Sequence, residues 1–482
     1  MRRRTLFVGF AVLCTILVLM WDGQFAVDTF ADEMWHSLEL AHNIQAEASV
    51  LVEYSTGRIL FSQNADVRMY PASTTKLLTA MVAYNFLDLD TVVTIGAEIN
   101  NMPAGFSTGL HVYGEAITVR MLLKALIIRS SNEAGRVLAL ETIRTIDGRR
   151  NMPYQEAKPR FASLMNDMAR DIGVSNSNFN NPYGLHSDMH FSTALDLAMI
   201  AKAFSDNHTL MEISAMQEFE GDGLEGMYIP NANVRNYTLI NTNLMLPGAA
   251  FAHPYIFGGR TGFTTPAGWC FVGIAYHNGL RLISVVLNST ESSRWADTRL
   301  LLDYGFFNYS FKDVATQHEV AKVVTLENPR LGDTGVIDIV VAEGHQALLS
   351  FSEYAVLERE LIFDPLFVSE VDYGDNTVFR APIEQGAQVG TVVYKSGGEI
   401  VFSAGLIVLD AVYARTFDSD MDYYMEMIIG NIFTRRSLPY WFGIIGTLFG
   451  LVWMFYALSM RRRMKREDNW YIPKSYKGRN KY

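Results

Sequence analysis

Cysteine is nearly absent: the 482 residues hold two, Cys14 and Cys270. One lies in an apolar amino-terminal run and the other in a strand-like run, so neither a disulfide framework nor a cysteine metal site is supported. Leu13, not a small residue, precedes Cys14, which argues against a lipoprotein cleavage site. Positive charge is also in deficit, with 40 lysines and arginines against 51 acidic residues and a net charge of -11. Such a surface does not suit phosphate backbones, so nucleic acid is excluded as the main partner. Charged residues make up 19% of the chain and hydrophobic ones 49%, a globular balance with an apolar excess still to be located. This length accommodates two or three domains.

The two ends account for the excess. Arg2-Arg3-Arg4 followed by the apolar run Leu6 to Met20 reads as an export signal over residues 1–31. Ala31 ends a poor cleavage site, so an uncleaved signal anchor stays open as the alternative. At the other end Pro439 to Met460 is uncharged, rich in aromatic and apolar residues, and long enough to cross a bilayer. A basic tail, 461–482, opens with Arg461-Arg462-Arg463-Met464-Lys465-Arg466. Positive residues stay in the cytoplasm, so the long middle of the chain is expected to face outward from a single membrane anchor. Arg435 and Arg436 are a smaller opposing signal. A buried core helix beside so basic a block has no evident soluble role.

Between the ends, one stretch carries chemistry. Pro71-Ala72-Ser73-Thr74-Thr75-Lys76 leads into an apolar run at helical spacing. Residues three apart share a helix face, so the Ser73 hydroxyl and the Lys76 amine can meet. A serine becomes a nucleophile when a base takes its proton, and a lysine can be that base once burial and nearby positive charge lower its pKa. On spacing alone, a capping serine ahead of a surface lysine is the commoner explanation of the pattern. However, no other lysine of this chain has a serine three residues before it.

Upstream, alternating apolar residues on either side of Ser55-Thr56-Gly57 predict a hairpin that delivers the chain to Ser73. Downstream, residues 116–129 read as a helix that ends at Ser130-Ser131-Asn132, with a second helix from Gly135. A serine and an asparagine on a bend between helices can relay a proton and hold a substrate carbonyl or Lys76; read alone, Ser130 is more readily a helix cap. Ser205-Asp206-Asn207 repeats the spacing at the end of an amphipathic run and reads as a solvated helix end. His186 and His190 stand four apart in a turn-rich segment without a suitably placed glutamate, so no metal site is expected there. The third stretch, Phe257-Gly258-Gly259-Arg260-Thr261-Gly262-Phe263-Thr264, is followed by Trp269 to Ala275 and Arg281 to Leu287, which read as strands of an antiparallel pair joined by a turn. The glycine after Thr261 lets a substrate backbone lie close, and Arg260 and Thr261 suit a carboxylate.

Taken together, Ser73-Thr74-Thr75-Lys76, Ser130-Ser131-Asn132 and Arg260-Thr261-Gly262 resemble the three motifs of the penicillin-recognising serine enzymes. Pro71-Ala72, Asn181-Pro182-Tyr183-Gly184-Leu185 and Thr264-Thr265-Pro266-Ala267-Gly268 resemble, within that group, the low-molecular-mass D-alanyl-D-alanine carboxypeptidases of serine peptidase family S11. The resemblance implies an α/β (α+β) transpeptidase/β-lactamase-like fold, an antiparallel sheet flanked by helices, over residues 40–312. It also implies a small all-β domain over 318–412, a stand between membrane and site or a protein-binding module. An acidic juxtamembrane linker, 413–438, and a transmembrane helix, 439–460, follow.

The resemblance further implies that Ser73 attacks the bond between two D-alanines of a peptidoglycan stem peptide while Lys76 takes its proton and Ser130 passes it to the leaving group. It assigns substrate binding to Asn132, Arg260, Thr261, Gly262 and Phe263, with Arg294 a further candidate, and the oxyanion hole to the backbone amides of Ser73 and Phe263. No cofactor or metal is implied, and β-lactams are expected covalent inhibitors. One departure is Arg260, where the family's third motif has lysine: the charge stays but a planar fork replaces a point charge. Ser131 and Glu133 also depart from the commonest residues. Two alternatives remain: a catalytically weak or inactive scaffold that binds cell-wall peptides or partners, and a β-lactamase, for which no deacylating glutamate motif is evident.

Overall fold

The computed structural model describes Leu40 and residues 43–100, 102, 108, 110–369, 377–432 and 437–467. The amino-terminal leader, Arg435-Arg436 and most of the basic tail lie outside the described residues. By its internal contacts the chain divides into two units, the first comprising residues 1–314, 346–358 and 395–399.

The first unit is built on five antiparallel strands. β1 (Ala48–Glu53) and β2 (Ile59–Gln63) form the expected hairpin. A 3-10 turn, Ala72–Thr75, then feeds α1 (Lys76–Phe86). A short pair, β3 (Val92–Thr94) and β4 (Ala116–Thr118), precedes α2 (Val119–Ile127) and α3 (Asn132–Asp147). Residues 116–118, expected as helix, are therefore strand: Thr118 stays extended and its hydroxyl caps α2 by accepting the Met121 N–H at 3.0 Å. After α4 (Tyr154–Asp171), α5 (Ala194–Ser205) and α6 (His208–Ala215) comes the hairpin β5 (Glu218–Asp222) and β6 (Asn236–Ile240). β7 (Ile256–Thr264), β8 (Gly268–His277), β9 (Leu280–Ser289) and α7 (Ser293–Asn308) complete the unit, and the sheet order is β2-β1-β9-β8-β7.

The sheet is covered on both faces, which is why its inner strands read as near-continuous apolar runs rather than alternating ones. Val50, Val272, Ile274, Ile283 and Val285 face a core shared with Leu77, Leu78, Leu197 and Ala201 of the helices. Their neighbours Leu51, Phe271, Leu282 and Val286 face the opposite core with Trp295, Leu301 and Leu302 of α7. This two-sided clamping fixes β7, whose far edge meets the Ser73 turn.

The second unit comprises residues 315–345, 359–394 and 400–482. Its centre is a six-stranded sheet that runs, across its width, through Leu357–Phe363, Gln388–Ser396, Glu399–Val408, Val336–Val341, Val320–Glu327 and Val378–Arg380. A helix over Phe417–Ile432 follows, and then a second over Leu438–Glu467. Leu438–Met464 is 27 residues long, with mean hydropathy 1.8 and none of its most apolar window buried, dimensions that suit a bilayer-spanning segment.

Candidate active site

Ser73 lies in the 3-10 turn and Lys76 at the first residue of α1. In a 3-10 turn residues three apart eclipse, so the tight turn brings the two side chains together more closely than the expected α-helical turn. The Lys76 Nζ is 2.7 Å from the Ser73 Oγ and donates to the Tyr183 carbonyl at 2.9 Å. Lys76 is fully buried. Burial, reinforced by the positive charge of Arg260 and opposed by Glu133, holds its pKa well below the usual lysine range. A neutral amine at hydrogen-bond distance from a hydroxyl is a nucleophile–base pair.

The turn is held where side chains do not fit. At Gly184, φ is +82° and a Cβ would stand 1.8 Å from the Ala72 carbonyl oxygen. From the other side, a Cβ on Gly262 of β7 would come within 2.9 Å of the Pro71 oxygen and 3.2 Å of the Ser73 nitrogen. The Gly262–Phe263 backbone therefore runs alongside the Ser73 amide.

In the second motif the capping residue is Ser131, whose Oγ accepts the Ala134 N–H at 3.2 Å. Ser130 precedes it with φ +66°, a left-handed conformation that costs a serine free energy. Asn132 is the first residue of α3 and half-buried.

In the third motif Arg260 is 1% exposed, and its Nη1 donates to the Ile127 carbonyl. Its Nε and Nη2 are buried without a hydrogen-bond partner among the described residues, and burial pushes its pKa down to about 9, so the guanidinium keeps its charge near neutrality. Thr261 donates to Thr242 Oγ1 at 2.8 Å. Phe263 is 47% exposed, its ring 4.2 Å from that of Trp269. Arg294 lies between indoles, 4.3 Å from the Trp269 centroid and 4.2 Å from that of Trp295. It thus packs beside the Phe263–Trp269 pair, with no hydrogen bond to Arg260 or Thr261.

Several residues that sequence reasoning left without a role complete the geometry. The Asn181 Oδ1 accepts the backbone N–H groups of Tyr183, Gly184 and Leu185 at 3.3, 2.9 and 2.9 Å, which shapes the loop that offers the Tyr183 carbonyl to Lys76. The asparagine–proline–tyrosine–glycine turn is the sequence signal that pointed there. His190 is buried, and its Nε2 lies 2.8 Å from Thr75 Oγ1. Burial pushes its pKa down to about 3, so the ring is neutral. In the second serine–x–asparagine triplet, Ser205 donates to the Lys202 carbonyl, Asp206 accepts from Tyr54, and Asn207 caps α6; two of the side chains serve a helix junction and the third ties it to the turn after β1.

Residues 36–291 match the model of the family described as D-alanyl-D-alanine carboxypeptidase, peptidase S11. Among similar proteins, D-alanyl-D-alanine carboxypeptidase DacF of Bacillus subtilis is 27% identical over 395 residues, 81% of this chain and 91% of that one. DacC of Escherichia coli is 28% identical over 398 residues, 80% of this chain and 88% of that one. Among solved structures, the carboxypeptidase DacD from Francisella tularensis aligns with a TM-score of 0.54 at 24% identity, covering 77% of this chain and 94% of that one. Penicillin-binding protein 5 from Haemophilus influenzae aligns at 0.52 and 24%, covering 77% and 98%. These structural likenesses speak to the fold, an antiparallel sheet flanked by helices with an added β unit. With more than half its length matched by the family model, the chain belongs to the D-alanyl-D-alanine carboxypeptidase family of serine peptidases.

Proposed function

We propose that this chain is a serine-type D-Ala-D-Ala carboxypeptidase that removes the terminal D-alanine from peptidoglycan stem pentapeptides. The observation that carries the reading is the 2.7 Å contact between Ser73 Oγ and a fully buried Lys76 amine. Lys76 takes the hydroxyl proton as Oγ bonds to the carbonyl carbon between the two D-alanines. The backbone N–H groups of Ser73 and Phe263 stabilise the oxyanion. Ser130 delivers the proton to the leaving nitrogen, the C–N bond breaks, and D-alanine departs. Water then hydrolyses the Ser73 ester. Asn132 holds the substrate amide, and Gly262 lets the substrate backbone lie against β7. Thr261 and Arg260 receive the terminal carboxylate; the two unpartnered guanidinium donors support this, and Arg294 assists from beside Trp269. A β-lactam stops at the acyl-enzyme stage.

The deep burial of Arg260 also favours a second reading, a chain that binds cell-wall peptides without turning them over. D-alanine release from a stem pentapeptide separates the two. Wild type is expected to release it, with loss in Ser73→Ala and retention in Arg260→Lys; no release from wild type, restored by Arg260→Lys, would make the binding scaffold the better reading.

The apolar Leu438–Met464 helix supports a membrane anchor, and the arginines at its carboxyl end support an active site outside the cytoplasm. Protease treatment of intact spheroplasts is expected to remove the first unit and spare the tail.

A further inference from the structure

Glu133 is the second residue of α3 and only 2% exposed. Its carboxylate accepts the Thr108 N–H at 2.8 Å, the Thr108 hydroxyl at 2.5 Å and the Ser131 hydroxyl at 3.2 Å. The Thr108 and Ser131 hydroxyl oxygens are themselves 3.4 Å apart. Because Ser131 also caps α3, one acidic side chain ties the helix cap, the first helical turn and a separate stretch of backbone at Thr108 into one knot. The residue before that knot is Ser130, held at φ +66°. A strained backbone persists only where its surroundings over-determine it, and the Glu133 knot is such a constraint.

The same carboxylate also acts electrostatically on the base. Glu133 acts on Lys76 as the opposing charge to Arg260, and its charge also reaches His111, which burial keeps neutral with a pKa of about 4. The charged and titratable groups that act around this centre are Arg260 from β7, Glu133 from α3 and His190 from the loop before α5, with His111 and Arg235 acting in turn with Glu133. Lys76 thus feels the opposed charges of one cation and one anion supplied by different elements.

We propose that Glu133 is a positioning residue for acyl transfer: its carboxylate locks the Ser130 turn through Ser131 and Thr108, and its charge offsets that of Arg260 at Lys76. This rests on the acyl-transfer reading of Ser73 and Lys76. Loss of the knot lets the Ser130 hydroxyl wander from the path of the proton, and misplacement of a catalytic group by about 1 Å costs on the order of a hundredfold in rate. Loss of the charge leaves Arg260 unopposed, so Lys76 gives up its proton more readily.

The test uses the full chain in detergent, with acylation by a labelled penicillin and D-alanine release from a pentapeptide followed across pH. The variants are Glu133→Gln, Glu133→Asp and Glu133→Ala, each checked for its melting transition. Glu133→Gln keeps the shape and removes the charge. Since acylation needs neutral Lys76, its acid limb is expected at lower pH than in wild type, so the ratio of variant to wild-type rate rises severalfold as pH is lowered. Glu133→Asp keeps the charge but is too short to span Thr108 and Ser131; kcat should fall about tenfold or more with the acid limb in place, and Glu133→Ala should fall further. A Glu133→Gln profile that superimposes on wild type, or Glu133→Ala acylating at the wild-type rate, overturns the inference. Wild type that is not acylated at all overturns the acyl-transfer reading, and this inference with it.

Discussion

Gly184 and Ala72 meet backbone to backbone: a Cβ on the glycine would lie 1.8 Å from the alanine carbonyl oxygen. The loop that orients Lys76 through the Tyr183 carbonyl therefore presses directly on the turn that carries Ser73. Gly184→Ala must push the two apart and also pay for an alanine at φ +82°. The expected result is a folded chain whose acylation by labelled penicillin drops on the order of a hundredfold, because the nucleophile and its base no longer share one geometry.

Arg260 acts on Lys76 through its charge. Its charge lowers the Lys76 pKa, after burial itself, so its removal must raise that pKa. Arg260→Met is expected to move the acid limb of kcat/KM for D-alanine release to higher pH, the opposite of Glu133→Gln. Arg260→Lys should leave the limb near its wild-type position and weaken the carboxylate contact, seen as a higher KM.

Lys76 also makes stability depend on pH. In the unfolded chain it holds its proton up to its ordinary pKa of 10.5, while burial strips that proton from the folded chain at lower pH. Between those two values the unfolded state binds one more proton, so stability rises with pH by up to about 1.4 kcal/mol per unit from this group. The difference in unfolding free energy between wild type and Lys76→Met is expected to grow as pH rises toward about 10.5 and to level off above it. Denaturant titrations at a series of pH values provide the check.

Asp297 on α7 is almost completely buried. It accepts the backbone N–H groups of Gln45 and Ala46 at 3.1 and 3.0 Å and the Ser289 hydroxyl at 2.9 Å. Asp297→Ala leaves these donors without their acceptor and should destabilise the chain by about 2–4 kcal/mol. Thermal unfolding reads the loss, while the pH profile of acylation stays where it was.

Much of this was legible in the chain. The β1–β2 hairpin, the β7–β9 strands and the apolar carboxy-terminal helix follow from periodicity and turn residues, signals that act within a few residues. The meeting of Ser73 and Lys76 was legible for the same reason, since three residues separate them. Arg260 was harder. Its motif marks a strand edge, but the position of its guanidinium, buried against the Ile127 carbonyl, depends on α2 and β7 packing across a separation of 133 residues. The extended start at Ala116–Thr118 was missed because its apolar pattern continues into α2, and only pairing with Val92–Thr94 distinguishes it. Glu133 stood out as a departure from the usual residue, yet its partner Thr108 belongs to a stretch with no periodic signal.

The two consecutive serines of the second motif divide labour between architecture and reaction. Ser131 spends its hydroxyl on the end of α3 and on Glu133, while Ser130, with no hydrogen bond from its hydroxyl among the described residues, has none of that duty. A lone serine there would have to choose between terminating a helix and relaying a proton, since its oxygen would be committed to a backbone amide. The doubling separates the two demands: one hydroxyl is committed to the cap, and the next is left unbonded for the proton while the capped neighbour holds its turn.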